Sequence, residues 1–341
     1  MITHLRVQNF RKHKDIAVEF QPGPILITGP NGSGKTSLAE AIYISLQGKS
    51  WRSGFADIVR SSSSTDDEWW RVDIEFGDGE KRTVKFNHAA KTFEINGESH
   101  MRLPSRLKKP VILFEPGDLQ LLYGSPSRRR EFFDRFISQV DPEYSSHLRK
   151  FTRVLMQRNN LLKYGATEDT LFAWDIQFAN LAEQIIKARI SWLEKINQRV
   201  TAHYQNIAGT ADTIEVLYSS GSKTKNQILK QLEVDTHNGV AFTRFGPQTH
   251  DVYILINQHA AKATASRGEN RTILFAILYS MMDLMNEELP GENYLILDDI
   301  DSELDAERKK RLYSEETSKK NPLIATTIET TEKIKNHLQL R

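Results

Sequence analysis

Gly29-Pro30-Asn31-Gly32-Ser33-Gly34-Lys35-Thr36 decides how this chain is read. The stretch matches G-x-x-x-x-G-K-[ST] in full, and its surroundings are those the motif needs. Pro24-Ile25-Leu26-Ile27-Thr28 before it reads as a short buried strand. Leu38, Ala41, Ile42 and Leu46 after it form the apolar face of a helix. Glycines let backbone N–H groups turn inward around phosphate oxygens, and the helix start adds a partial positive charge. Lys35 is expected to reach the outer phosphates and Thr36 to ligate Mg²⁺. Gly29, Pro30, Asn31, Gly32, Ser33, Gly34 and Ser37 complete the expected nucleotide loop.

A second element belongs with the first. Tyr294-Leu295-Ile296-Leu297 is apolar on both faces, as a central parallel strand should be, and it ends in Asp298-Asp299. Asp298 is the expected Mg²⁺ partner, through water, and Asp299 the group that orients or deprotonates an attacking water. A solvated acidic loop is the competing reading, since Asp301, Glu303 and Asp305 continue the run.

Ala265-Ser266-Arg267-Gly268-Glu269 precedes a helix running from about Asn270 to Leu289. A Ser and a Gly opening a helix make another anion-binding end, although S-x-G alone also describes a plain helix cap. Two copies of the chain facing each other would hold one nucleotide between the two helix starts.

Working outward, Leu5 and Val7, then Ile16, Val18 and Phe20, alternate as half-buried strands, with Arg11-Lys12-His13 in the turn. Arg11 and Lys12 are expected to approach the nucleotide. Val72, Ile74 and Phe76, Val84 and Phe86, and Phe93 and Ile95 read as further strands. The region 143–204 holds two helical patterns broken near Tyr164-Gly165. In the second, Leu171, Trp174, Phe178, Leu181, Ile185, Ala188 and Trp192 form a heptad stripe. It suits a helix packed on the body of the protein or an antiparallel helical hairpin. Ile214 and Val216, then Val252, Ile254 and Ile256, are strands, and Pro322-Leu323-Ile324-Ala325 closes the alternation. The expected class is α/β, with a nucleotide lobe from both chain ends, 1–110 and 245–341, and an inserted, largely helical lobe, 111–244.

The composition agrees. The chain has 341 residues, 39% hydrophobic and 26% charged, and a net charge of +2, so a basic patch for nucleic acid would have to be local. Cysteine is absent, which excludes disulfides, thiolate metal sites and cysteine nucleophiles. No apolar run approaches a membrane span, and Met1–Val7 alternates where a secretory signal would be continuously apolar, so a soluble, cytoplasmic protein with no membrane partner is expected.

Gly29–Thr36, Ser266-Arg267-Gly268-Glu269 and Leu297-Asp298-Asp299-Ile300-Asp301-Ser302-Glu303-Leu304-Asp305 resemble the Walker A, signature and Walker B/D-loop elements of ABC-type ATPases. More narrowly, the chain resembles the RecF family of DNA repair ATPases. Leu5–Arg11, Phe114–Leu119, Gly124-Ser125-Pro126, Arg128–Asp134 and Arg153–Lys163 carry that resemblance over nearly the whole chain. Three features depart from the family pattern. Gly246-Pro247-Gln248-Thr249-His250-Asp251 stands where Gly-Pro-His-Arg-Asp-Asp is usual, Glu269 where Gln is commoner, and Asp301 where an aromatic is frequent.

The resemblance implies an ABC- and SMC-head-like P-loop ATPase with an inserted helical subdomain and no long coiled coil. It implies ATP and Mg²⁺ as cofactors and a weak, DNA-stimulated ATPase with Asp299 and Lys35 as catalytic groups. ATP would drive homodimerisation, with Ser266, Gly268 and Glu269 acting on the other copy's nucleotide and Ser302 and Asp305 in the D-loop. Thr326-Thr327 stands in place of the usual switch histidine. The implied partners are double-stranded DNA, gapped junctions between single and double strands, and RecO and RecR.

Residues 147–163 carry Arg149, Lys150, Arg153, Arg158 and Lys163 and no acid. Arg149, Lys150, Arg153 and Arg158 are candidate contacts to DNA phosphates, a solvated helix face being the plain alternative. Arg128-Arg129-Arg130 equally suits Asp or Glu partners within the protein. A small-molecule P-loop kinase, a transporter ATPase subunit and a RecF-like defence ATPase are the competing functional classes.

Overall fold

The computed structural model describes residues 1–60, 68–220, 224–237, 239–299, 311, 322–328 and 336–340. Up to residue 118 the elements are β1 (Ile2–Phe10), β2 (His13–Glu19), β3 (Ile25–Thr28), α1 (Lys35–Gln47), β4 (Trp69–Phe76), β5 (Lys81–Asn87), β6 (Ala90–Ile95), β7 (Glu98–His100) and β8 (Val111–Phe114). Next come α2 (Gln120–Tyr123), α3 (Pro126–Val140), α4 (Pro142–Lys163), α5 (Glu168–Ala208), β9 (Ile214–Ser219) and α6 (Lys225–His237). They are followed by β10 (Asp251–Ile256), β11 (His259–Ala260), α7 (Ala261–Thr264) and α8 (Arg267–Glu288). The chain then returns through β12 (Tyr294–Leu297), β13 (Leu323–Thr327) and β14 (Asn336–Gln339).

Two compact units result, Met1–Asp118 with Met285–Arg341, and Leu119–Leu284. The sequence places the boundaries at 110/111 and 244/245 instead. They fall elsewhere because β8 pairs in parallel with β12, which keeps 111–114 in the first unit. Likewise β10 pairs with β9, which keeps 251–256 in the second.

The first unit has two sheets. Strands in the order β2-β1-β4-β5-β6-β7 form an antiparallel sheet, and β14-β3-β13-β12-β8 a parallel one. In β4 every second residue is buried, as expected of a strand with one wet face. In β3, β8 and β12 every residue is buried, as expected of parallel strands covered on both faces. The core runs from Leu5, Val7, Val72 and Ile74 of the antiparallel sheet, through Leu38, Ile42 and Leu46 of α1, to Ile27, Ile296 and Ile324 of the parallel sheet. A helix buried nearly all round, as α1 is, belongs in such a core, so its residues are apolar well beyond one stripe.

The order of the parallel sheet positions the site. Ligands of such sheets bind beyond the carboxyl ends of the strands. Here β3 delivers Gly29–Thr36, β12 delivers Asp298, and β13 lies between them.

In the second unit α4 and α5 form the helical hairpin, with the break after Lys163. Phe151 meets Phe178, with ring centroids 4.9 Å apart, and Arg158 meets Asp175, so the helices run antiparallel. Of the heptad stripe, Leu171, Phe178, Ile185 and Trp192 are buried, while Trp174, Leu181 and Ala188 are half-buried. The strands β11-β10-β9 form a separate small sheet. Among the described residues, no helix is long and apolar enough to cross a membrane.

Candidate functional site

Two glycines of the phosphate loop are dictated by their neighbours. Gly29 and Gly34 sit at φ +149° and +103°, conformations that L side chains rarely adopt. A Cβ on Gly29 would stand 2.7 Å from the Leu340 carbonyl oxygen, and one on Gly34 would stand 2.5 Å from His13 Nε2. Gly34 caps α1 in the left-handed conformation, so the loop runs directly into a helix start. Ser33 Oγ is buried without a hydrogen-bond partner among the described residues. Lys35 Nζ donates to the Gly29 and Pro30 carbonyls at 2.8 and 3.1 Å, folded onto its own loop. A buried hydroxyl left over for a ligand and a buried ammonium at a helix start suit phosphate oxygens.

Thr36 Oγ1 donates to Asp298 Oδ1 at 2.9 Å, joining the loop to the end of β12 across 262 residues of chain. Burial pushes the Asp298 carboxyl up, hydrogen bonds from Thr326 and Thr36 pull it down, and the Asp299 charge raises it again. A hydroxyl and a carboxylate are hard oxygen ligands. Among the described residues no group of three or more His, Asp or Glu side chains could hold a metal alone. The donor set therefore fits a cation such as Mg²⁺, which takes its remaining ligands from phosphate and water.

These residues line one cleft of ≈ 600 Å³ in the first unit. Asn31, Gly32, Gly34, Lys35, Thr36 and Ser37 line it from the phosphate loop, and Asp298 and Asp299 from the end of β12. Arg11 and Lys12 line it as expected. Lys12 Nζ donates to the Gly32 carbonyl at 2.6 Å. Arg11 is committed elsewhere. Its guanidinium spans both carboxylate oxygens of Glu40, at 2.8 and 3.1 Å, and reaches Ser53 Oγ and the Asp57 carbonyl. Glu40 is fully buried on α1, so Arg11 acts as a strut between the first turn and the helix.

Sequence reasoning missed several lining or supporting groups. Trp51, Arg52, Asp57, Val59 and Glu115 line the cleft, Glu115 having been noticed only within a block of resemblance. Thr326 is named only through the resemblance, in the place of the switch histidine, and its bonds to the two acids are not foreseen. Its hydroxyl accepts from Asp299 N and donates to Asp298 Oδ1, both at 2.7 Å. The local pattern carried no signal for these residues, since none falls in the phosphate motif or the acidic block.

Ser266 and Glu269 cap α8 in the second unit. Glu269 N donates to Ser266 Oγ at 3.3 Å, and Ser266 N donates to a Glu269 carboxylate oxygen at 2.7 Å. This is a capping box, and it gives the Glu at 269 a structural reason. Gly268 lies in the same first turn and is half-buried. Ser302 and Asp305 lie outside the described residues.

Of the DNA candidates, Arg149, Lys150 and Arg153 are exposed on α4. Arg158 is not, and the expectation is corrected. Its side chain is 0% exposed, with Nε on Asp175 at 2.6 Å and the two Nη atoms on Thr243 and Thr236 at 2.9 and 3.2 Å. A guanidinium desolvated and paired in this way ties α4 to α5, α6 and the loop at 243, and cannot meet a phosphate backbone.

The departing block 246–251 is an anchor of the second unit. Arg129 holds Asp251 through two bonds of 2.7 and 2.8 Å, and Arg189 donates to the Pro247 carbonyl at 2.7 Å. Buried Arg189 also holds both oxygens of Asp134 and the hydroxyls of Tyr144 and Tyr218. The His250 ring accepts or donates at Tyr218 and is pushed down to about 4 by burial and by the charges of Arg189 and Arg130.

The AAA domain family profile matches residues 4–340. A DNA replication and repair protein RecF from Moorella thermoacetica is 32% identical over 321 residues, covering 89% of this chain and 84% of the relative. Another from Caldanaerobacter subterraneus subsp. tengcongensis is 31% identical, covering 89% and 88%. The solved recombination mediator protein RecF-ATP in the RecFOR pathway superposes with a TM-score of 0.79 at 28% identity, over 97% of this chain and 92% of that one. An SMC head bound to the C-terminal winged-helix domain of ScpA shares the fold, with a TM-score of 0.58 at 16% identity, over 96% of this chain and 90% of that one. With this match over nearly its whole length, and a phosphate loop closed onto the acidic end of β12, the chain belongs to the RecF family of DNA replication and repair proteins, ATPases of the ABC and SMC-head kind.

Proposed function

We propose that the chain is an ATP-dependent DNA-binding protein of recombinational repair. ATP held by Gly29–Thr36 draws two copies into a clamp on double-stranded DNA near gaps. Weak, DNA-stimulated hydrolysis opens the clamp, and the cycle supports recombinase loading. The observation that carries this reading is the bond from Thr36 to Asp298, with Lys35 and Asp299 beside it in one cleft. The names of the relatives, DNA replication and repair protein and recombination mediator, supply the biological class.

On binding, the Lys35 ammonium exchanges two loop carbonyls for the outer phosphates, a stronger, charge-assisted bond. Thr36 and Asp298 would hold Mg²⁺, which neutralises phosphate charge. Asp299 accepts the proton of the attacking water. The helix start at Ser266 and Gly268 of the second copy offers N–H groups to the γ-phosphate, and Glu269 keeps that turn in shape. Arg149, Lys150 and Arg153 lie exposed on α4 and suit backbone phosphates, a contact blind to sequence and sensitive to salt. RecO and RecR are the protein partners this role implies, and the cytoplasm the compartment.

Light scattering with and without ATP and Mg²⁺, repeated with a short duplex, tests the reading. A monomer that becomes a dimer with ATP and retains the duplex is the expected result, with Ser266→Arg binding ATP but staying monomeric. ATP bound without any shift in mass would overturn the clamp and favour a small-molecule P-loop kinase.

A further inference from the structure

We infer that Thr326 is a positioning residue for ATP hydrolysis, a clasp whose single hydroxyl sets both acids at the end of β12. The inference rests on the ATPase reading above and adds a residue to it.

The hydroxyl is used at both ends. Its oxygen accepts from the Asp299 backbone N–H, and its hydrogen goes to Asp298 Oδ1, each at 2.7 Å. A threonine hydroxyl has one hydrogen to give, so donating to Asp298 fixes its rotor and aims a lone pair at Asp299 N. Thr326 is fully buried, which shields both bonds from bulk solvent. Asp299 stands at φ +51°, a left-handed conformation that a non-glycine residue holds only where its surroundings enforce it. The bond from Asp299 N to Thr326 is part of that enforcement, and it decides where the Asp299 side chain leaves the backbone.

Asp298 Oδ1 receives two hydroxyl hydrogens, from Thr36 and from Thr326. Their tasks differ when the nucleotide binds. Thr36 is the hydroxyl that serves as a ligand to Mg²⁺ through an oxygen lone pair while its hydrogen stays on Asp298, so its position follows the cation. Thr326 sits on β13, between the strand of the phosphate loop and the strand of the acids, and has no such second task. It is the donor whose place does not depend on the cation, and it keeps the carboxylate in one rotamer. A group that orients a ligand in this way typically governs metal affinity or rate by about 10- to 100-fold.

The experiment compares wild type, Thr326→Val, Thr326→Ala and Thr326→Ser. Thermal unfolding is followed with ATP alone and with ATP over a Mg²⁺ titration, beside steady-state hydrolysis. Val and Ala are expected to keep the shift given by ATP alone. They should need about 10- to 100-fold more Mg²⁺ for the further shift, and lose kcat by a similar factor with KM within about threefold. Ser keeps the hydroxyl and should return both to within about threefold of wild type.

The clasp is overturned if Val and Ala match wild type in Mg²⁺ demand and kcat. It is overturned equally if Ser is as defective as Val, because the methyl group would then be what matters. Loss of the ATP-alone shift in both Val and Ala would assign Thr326 a purely structural role and overturn it too. A wild type that shows no shift with ATP and Mg²⁺ and no hydrolysis would sink the ATPase reading itself.

Discussion

Leu340 lies across Gly29. Its N–H donates to the Thr28 carbonyl at 2.7 Å, and its own carbonyl oxygen stands 2.7 Å from the point a Cβ on Gly29 would occupy. The first glycine of the phosphate loop is thus packed against Leu340, the residue after the strand β14, which pairs in parallel with β3. Gly29→Ala should therefore cost more than a loss of loop freedom. Strain at φ +149° adds to a backbone clash that cannot be relieved by a rotamer change. We expect nucleotide binding to be lost and the melting temperature to fall by several degrees, the equivalent of about 1–3 kcal/mol. Fluorescent-nucleotide titration beside calorimetry checks both. A variant that binds at wild-type affinity would show that β14 does not confine the loop.

Arg11 and Lys12 are neighbours in the sequence with opposite tasks. Arg11→Ala strands Glu40, which is 0% exposed, without its main partner. Breaking a buried pair by removing one member costs about 3–5 kcal/mol, reduced here because Arg52 also approaches Glu40 at 3.4 Å. Lys12→Ala removes only an exposed bond to the Gly32 carbonyl and should leave stability within about 0.5 kcal/mol. Chemical denaturation separates the two. Equal destabilisation by both variants would refute the strut.

The same contrast holds on α4. Arg158→Ala should destabilise the second unit by about 3 kcal/mol, since Asp175 would lose its guanidinium partner and Thr243 and Thr236 a donor. Arg153→Ala should leave the melting temperature unchanged and weaken duplex binding, with the salt slope of log K reduced by about 1. Binding isotherms at several salt concentrations decide the matter. A salt slope unchanged by Arg153→Ala would remove that side chain from the DNA surface.

Arg153 and Arg158 also show where the sequence stops being legible. Both sit in one run of basic residues without an acid, and nothing local separates them. Burial of Arg158 comes from Thr236 and Thr243, which reach it only after α5, β9 and α6 have folded back. The phosphate loop and Asp298 could be read because each is a contiguous motif at a strand end. The resemblance sets Thr326-Thr327 in the place of the switch histidine, but the bonds of Thr326 to the two acids could not be read, because they follow from strand order. Thr326 lies between β3 and β12 in space, although Lys35 and Asp298 both precede it in the chain. The break at Tyr164-Gly165 was legible, but whether the two helices pair with each other or pack on the body was left open, because a heptad stripe does not name its partner. The domain boundaries were not, because a four-residue apolar strand such as Val111–Phe114 has no period of its own.

His250 makes the last prediction, one of pH dependence. Its ring packs against Tyr218 and lies in the field of Arg189 and Arg130, and burial first, then those charges, push it down to about 4 from an ordinary 6.5. The folded state thus keeps the ring neutral where the unfolded chain protonates it. Between about pH 6.5 and 4 the unfolded state binds more protons, so stability rises with pH in that window and is flat above it. Acidification from pH 7 to 5 should cost wild type about 1 kcal/mol through this residue, once solvent screening is allowed for. His13 shifts in the same direction, through burial, so the comparison must be with His250→Gln rather than with a theoretical curve. The variant should be less stable at pH 7, where the bond to Tyr218 is altered, yet lose less on acidification. Parallel melting curves for the two proteins from pH 7 to 5 would show that the ring takes up its proton without leaving its place, and that the Arg189 network tolerates the added charge.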